Sequence, residues 1–179
     1  MTKQTIDMKT ALIQSAITIL LSEGIQGFTL QSVADHAKVS KGGLLHHFPN
    51  KQALISGVYQ AIIERFEAKI NEFIQQDTID HGRFTRAYLN TVLLDTETGV
   101  NSKLSALYIA LINDEKLSLA WNQWLTQQQS KHSKTDSAQS LAIIRLAADG
   151  LWFNHNLSTR TPFENAALID QMIQQTYPS

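Results

Sequence analysis

A chain of 179 residues with no cysteine is long enough to bury one helical core, and it excludes disulfides, iron–sulfur clusters and cysteine-rich zinc sites. The net charge of −1 would argue against a nucleic-acid partner, but the charge is unevenly spread: residues 1–52 hold five lysines against three carboxylates, a surplus of +2, and the remainder is acidic by −3. That is the sign expected of a DNA-facing head on an acidic body.

The N-terminus is polar (Lys3, Asp7, Lys9) and no apolar run approaches the ~18 residues of a membrane span, so neither a signal peptide nor a span is expected and the cytoplasm is the expected compartment. The apolar periodicity is helical and predicts an all-α fold. Leu12, Ala16, Ile19 and Leu20 form the buried face of a first helix that Gly24 ends. Thr29 is a good N-cap for a second, in which Leu30, Val33, Ala34 and Ala37 face inward. Ser40 caps a third helix with Leu44 and Phe48 inward, and it stops at Phe48 because a residue before proline, here Pro49, is pushed out of the α region. Asn50 caps a long fourth helix that ends near Gln76 and spans roughly 40 Å.

Residues 84–94, 104–112, 117–128, 138–157 and 163–176 read as five more helices, about nine in all, separated by Gly82, Gly99, the polar stretch 127–137 and Pro162. The polar stretch reads as a mobile surface connector. The expected organisation is a three-helix head in a first domain of residues 1–52. A second domain, residues 53–179, holds the long connecting helix and a helical regulatory and dimerisation body.

Residues 28–54 read as two short helices joined by a tight turn, a helix-turn-helix whose second helix offers its first residues to base edges. Ser40 and Lys41 stand at that helix start, where free N–H groups attract a phosphate. Gly42 and Gly43 follow, each costing up to about 1 kcal/mol against alanine in a helix. Close approach of backbone to DNA would compensate; a frayed helix start that tolerates glycine is the other reading. His46 and His47 lie about 100° apart around the helix, so one can reach a base or phosphate while the other meets the rim, and neutral histidine both donates and accepts. With Asp35 and His36 they make no chelating pattern, so neither a metal nor a cofactor is expected.

This segment resembles the DNA-binding head of the TetR family of transcriptional regulators. The resemblance rests on Thr29-Leu-Gln-Ser-Val-Ala and on Val39-Ser-Lys-Gly-Gly-Leu-Leu-His-His-Phe-Pro-Asn-Lys-Gln-Ala-Leu54, and it covers about residues 5–60; the rest is similar in architecture alone. It implies that Thr29 and Lys51 touch backbone phosphates and that Lys41, Gly42, Gly43 and His46 lie in the groove. Two positions depart from the family pattern. Leu45 stands where a tyrosine is usual, which removes a hydroxyl available to phosphate. Lys38 stands where the turn usually has glycine, at a cost of roughly 1–2 kcal/mol if left-handed, though it adds charge facing the phosphates. The resemblance further implies dimerisation through a four-helix bundle of the last two helices. It also implies an effector that enters the body, shifts the fourth helix and re-spaces the two recognition helices.

In the body, Leu141, Ile144, Leu151 and Trp152, with Ala142, Ala147 and Ala148, make one helix apolar around much of its circumference, and Ala166, Ala167, Ile169 and Ile173 line the next. Such helices are usually buried on two sides, either against a second copy or as ordinary core. Tyr59, Phe66, Tyr88, Tyr108, Trp121 and Trp124, with Trp152, Phe153, Asn154 and His155 later, can line a pocket for a flat or cationic molecule or be plain core. Asp149 interrupts the apolar run 143–151; buried, it needs Arg145 at i−4 or a ligand cation as partner, and exposed it needs none.

The sequence holds no Gly-rich phosphate loop after a strand, no His-Glu-x-x-His pair and no Gly-x-Ser-x-Gly elbow, so an enzyme is not expected. The expected function is a homodimeric repressor that binds a palindromic double-stranded operator and is released by a small-molecule effector, aromatic or cationic. The alternatives are a ligand-independent DNA-binding or protein-interaction factor on the same fold, and a helical enzyme.

Overall fold

The computed structural model describes residues 7–103, 105, 107–108, 115–157 and 166–178. The described elements are α1 (Met8–Gly27), α2 (Leu30–His36), α3 (Lys41–His47), α4 (Lys51–Gln76), α5 (Arg83–Leu89), a π-helical turn (Asn90–Leu94), α6 (Glu115–Lys131), α7 (Ser133–Asp136), α8 (Gln139–Leu157) and α9 (Ala166–Gln174). Among the described residues the fold is all-α, and no helix is long and apolar enough to cross a membrane. The chain divides into two compact units, Met1–Ile63 and Glu64–Ser179.

In the first unit α1 packs on α2 and α2 on α3. Leu12, Ala16, Ile19 and Leu20 are buried, with Val33, Ala34, Leu44 and Phe48 from the next two helices. Gly24 breaks α1 with φ 68° and ψ −172°, a conformation open to glycine and costly for other residues. Thr29 caps α2 in a reciprocal box with Ser32: each side-chain oxygen takes the other's backbone N–H. Ser40 Oγ accepts from Gly43 N at 3.0 Å, and Asn50 Oδ1 accepts from Ala53 N at 2.8 Å.

In the second unit every residue of α5 from Phe84 to Leu89 is buried, because α7, α8 and α9 all pack on it. After Leu89 the helix widens into the π turn, which Asp95 N–H closes on Asn90 O at 2.8 Å. The Asp95 carboxylate then caps the following turn through Glu97 N and Thr98 N, both at 2.9 Å, and lies 3.4 Å from Lys69 Nζ. The buried Arg86 guanidinium ties the segment before α5 to the turn that follows α9. It bonds Asp77 Oδ2 at 2.6 Å, His81 O at 2.8 Å and Thr176 O at 3.0 Å.

The polar stretch is not a mobile connector. Residues 127–131 continue α6, residues 133–136 form α7, and Gln128 and Asp136 are buried. The cause is tertiary. Asp136 caps α5 from 51 residues away, accepting from Thr85 N at 2.8 Å, Thr85 Oγ1 at 2.7 Å and Phe84 N at 3.2 Å. The helix expected over 104–112 falls mostly outside the described residues, as do residues 163–165 of the last one.

Candidate functional site

The head presents one basic surface. From His36 to Lys51 the chain carries three lysines and no carboxylate. Thr29, Lys38, Ser40, Lys41, Gly42, Gly43, His46 and Lys51 are exposed and His47 is half-buried. Lys38 has φ 57°, and around it Lys38 N–H bonds Asp35 O at 3.2 Å and Val39 N–H bonds Ala34 O at 3.0 Å. These two bonds make a complete Schellman ending for α2 with lysine in the left-handed position, which glycine usually fills. The strain expected there is present, and it holds a charged side chain at the turn.

At the start of α3 the Ser40 cap is satisfied, so the helix is not frayed. A Cβ on Gly42 would have Ser40 Oγ at 3.9 Å as its nearest neighbour, and one on Gly43 would have it at 3.3 Å. A side chain at Gly42 would therefore meet only ordinary contact within the head, while one at Gly43 would crowd the Ser40 cap. The His46 and His47 rings meet edge to face at 5.3 Å. Lys51 Nζ stands 5.3 Å over the ring of fully buried Phe28, which orients a cation at the first turn of α4. Leu45 is 37% exposed on the same short helix, an apolar side chain on an otherwise polar surface.

The body gathers its aromatics. Phe66 lies 5.4 Å from Trp121, 5.5 Å from Trp124 and 6.0 Å from Tyr88 between ring centroids. Tyr108 extends the chain of contacts to Trp121 at 5.3 Å and to Trp152 at 5.2 Å. Phe66, Tyr88, Tyr108, Trp121, Trp124 and Trp152 thus join one connected cluster, drawn from α4, α5, α6, α8 and the segment holding Tyr108, whereas Phe153 of α8 is exposed. Phe66, Tyr88 and Trp124 are buried; Tyr108, Trp121 and Trp152 are half-buried. The geometry is edge-on or tilted throughout, the arrangement ring quadrupoles favour.

Asp149 joins this cluster, with a different partner from the expected Arg145. Tyr88 Oη donates to Asp149 Oδ1 at 2.5 Å, whereas Arg145 turns to Thr85 Oγ1 at 2.5 Å and to Asp136 at 3.9 Å. Arg145 is claimed by the cap of α5 and favours the Asp149 anion only through space. Burial raises the Asp149 carboxyl above the usual carboxylate range, partly offset by the Tyr88 hydrogen bond and the Arg145 charge. Burial, then Asp149, push the Tyr88 phenol well above its ordinary value, so tyrosine remains the donor.

Three further residues connect to the cluster without a local sequence signal. Glu67 accepts from Trp124 Nε1 at 3.2 Å and from Gln128 Nε2 at 3.0 Å. His132 stacks on Phe84 at 4.8 Å with the planes 1° apart, and Phe84 touches Tyr88 at 6.1 Å. Only helical spacing hints at Gln128, one turn beyond Trp124. Among the described residues, no group of three or more His, Asp or Glu side chains is placed to hold a metal ion.

Known proteins share this architecture. Residues 12–58 match the bacterial regulatory proteins, tetR family, and residues 82–177 match the tetracyclin repressor-like, C-terminal domain. The HTH-type transcriptional repressor KstR2 of Rhodococcus jostii (strain RHA1) is 25% identical over 118 residues, 66% of this chain and 54% of that protein. The HTH-type transcriptional regulator CymR of Pseudomonas putida is 33% identical over 72 residues, 38% of this chain and 36% of that protein. The chain therefore spans about half the length of the first of these relatives and about a third of the second. Among solved structures, the multidrug binding protein EbrR complexed with malachite green superposes with a TM-score of 0.71 at 20% identity, over 96% of this chain and 98% of its own. With both its head and its body matched, the chain belongs to the TetR family of bacterial regulatory proteins.

Proposed function

We propose that the protein is a dimeric, ligand-responsive repressor. Its two heads bind a palindromic DNA operator in the cytoplasm, and a flat aromatic effector, favoured when cationic, binds the body cluster and releases the DNA. The observation that carries the effector half is the aromatic cluster closed by Asp149. Among the described residues the half-buried Asp149 carboxylate has the neutral Tyr88 hydroxyl as its hydrogen-bond partner, and aromatic faces beside such a group attract a delocalised cation. EbrR, with the same fold, is a multidrug binding protein solved with malachite green, which favours the same ligand class. The reading makes the protein a regulator and not an enzyme.

For the DNA half, Lys38, Lys41 and Lys51 answer phosphates, Ser40 and Thr29 offer hydroxyls at helix starts, and His46 and His47 stand beside the Gly42–Gly43 backbone. One short helix discriminates few base pairs, at about 1–3 kcal/mol per good contact, so a second head is needed for a genomic site. The last two helices supply the surface for it, where Ala147, Ala166 and Ala167 are exposed. Leu141, Ile144, Ala148 and Ile169 are consumed by the protomer's own core. The outward stripe of α8 is Ile143, Leu146, Phe153 and Leu157, 46–69% exposed, with Gly150 between them. Its 3–4 spacing is that of a helix seam meeting another helix, and Leu168 of α9 is 42% exposed as well.

Conformational transmission falls to α4, a single helix from Lys51 to Gln76 that carries Phe66 and Glu67 of the cluster and begins with the phosphate-binding Lys51. The test is fluorescence anisotropy of the labelled DNA upstream of the protein's own gene, with and without a panel of aromatic cations, alongside sedimentation of the free protein. Dimer binding that crystal violet or a related dye weakens at least ten-fold supports the reading. Binding that no compound alters makes the protein a ligand-independent factor, and no DNA binding at low salt removes the function altogether.

A further inference from the structure

We propose that Gln128 Oε1 and His132 Nε2 form a seat for a primary amino group on a planar aromatic ligand, at the polar edge of the body cluster. The inference rests on the cluster's being the effector site and specifies what that site recognises. Among the described residues these two are the buried side-chain polar atoms without a hydrogen-bond partner, a rare condition in native proteins and one that calls for an explanation.

Both side chains are held where they are. Gln128 is 2% exposed, and its amide is fixed by donation from Nε2 to Glu67 Oε1 at 3.0 Å, while Trp124 Nε1 holds the other Glu67 oxygen at 3.2 Å. Flipping the amide would set its carbonyl oxygen against a carboxylate oxygen, so Oε1 stays an acceptor that lacks a donor. His132 is pinned by its stack on Phe84. Burial, then Lys131, lower its pKa, with Asp136 opposing and Arg83 adding a smaller push; in the tautomer that carries its proton on Nδ1, the neutral imidazole presents Nε2 as a second acceptor.

The two side chains leave the chain one helical turn apart. His132 N–H bonds Gln128 O at 3.0 Å, so helical spacing persists to His132, and the Cβ atoms of residues four apart stand about 5–6 Å from one another. Two acceptors each about 3 Å from one amino nitrogen, in line with its two N–H bonds, are separated by a similar span. Trp121, Trp124 and Gln128 recur at helical spacing on one face of α6. An amino substituent on a ring lying against the tryptophans would therefore reach Gln128 and His132, and a dialkylated nitrogen would satisfy neither.

The test uses the full chain and its three tryptophans, all of which lie in the cluster. The probes are proflavin, an acridine with two primary amino groups, and acridine orange, the same cationic ring with both nitrogens dimethylated. Titrations followed by tryptophan quenching should show proflavin bound about ten-fold more tightly. Gln128→Leu should weaken proflavin about ten-fold and leave acridine orange unchanged. His132→Phe, which keeps the stack on Phe84, should weaken proflavin alone by several-fold, with circular dichroism confirming that both variants fold. Equal binding of the two dyes, or a Gln128→Leu effect common to both, overturns the proposal and leaves the two atoms to bound water. Quenching by neither dye overturns it together with the effector-site reading.

Discussion

In the head, every residue assigned to DNA except His47 is exposed, and backbone turns and helix caps position most of them, with the Phe28 ring under Lys51. In the body, none of the side chains assigned to the effector is exposed, and each is positioned by other side chains in contact with it. A surface that meets a polyanion can present its cations singly, since the partner supplies the desolvation and the counter-charge. A site for a small apolar cation must be walled before the ligand arrives, so its walls double as core. Substitutions in the head should therefore act on affinity and spare stability, and those in the body should mix the two.

The largest separation is expected from Asp136→Ala. It strips a buried carboxylate from the first turn of α5 and from Thr85 and leaves Arg145 without its nearest anion, so unfolding free energy should fall by about 3–5 kcal/mol in urea titrations. Affinity for operator DNA, measured well below the melting range, should hold; a selective loss of DNA binding with unchanged stability would erase the contrast between the two regions.

Next in size is the pH response of effector binding. The Asp149 carboxyl is raised by burial, so acidification neutralises it at a higher pH than an ordinary aspartate. Crystal violet, a permanent cation, should lose about ten-fold in affinity as pH falls through that raised value, and Asp149→Asn should flatten the profile. Between the ordinary and the raised pKa the folded state keeps a proton that the unfolded chain has released, so Asp149 makes stability fall as pH rises through that window. An affinity independent of pH in the parent would remove Asp149 from the site.

Lys41→Ala should weaken operator binding several-fold and lower the salt slope by about one unit, with stability changed by no more than about 0.5 kcal/mol. The smallest effect sharpens the comparison most. Lys38→Gly should stabilise the head by up to about 1 kcal/mol by relieving a left-handed lysine while weakening DNA binding through loss of a charge. Opposite signs for stability and affinity at one residue would mark strain kept for a contact; a loss of both would mean that Lys38 serves the fold.

What the sequence made legible follows the same division. Thr29, Ser40, Asn50, Gly24 and Pro49 act within one helical turn, so local rules located the ends of α1 to α4 and the all-α class. Asp136 reads as a solvent-exposed polar residue because the groups it bonds, on Phe84 and Thr85, belong to α5, some fifty residues away. Spacing along one helix offers Arg145 as one partner for Asp149, with a ligand cation or solvent as the others, and Arg145 is instead held by Thr85 and Asp136. On α8, apolar on two sides, the core stripe and the outward stripe are offset by a single residue or two, and composition does not say which is which. The orphaned atoms of Gln128 and His132 had no signature beyond position, since being unpaired is a property of surroundings.

The π turn at Asn90–Leu94 bears on how this chain should be aligned with its relatives. Such a turn accommodates one residue more than a regular helix of the same length. Upstream of it Tyr88 keeps its place against Asp149, and downstream Asp95 reaches Lys69; a regular helix would rotate one of these pairs out of register by about 100°. A relative whose fifth helix is regular therefore needs a one-residue gap between Leu89 and Asp95, without which every position on one side of the turn would be matched to the wrong neighbour.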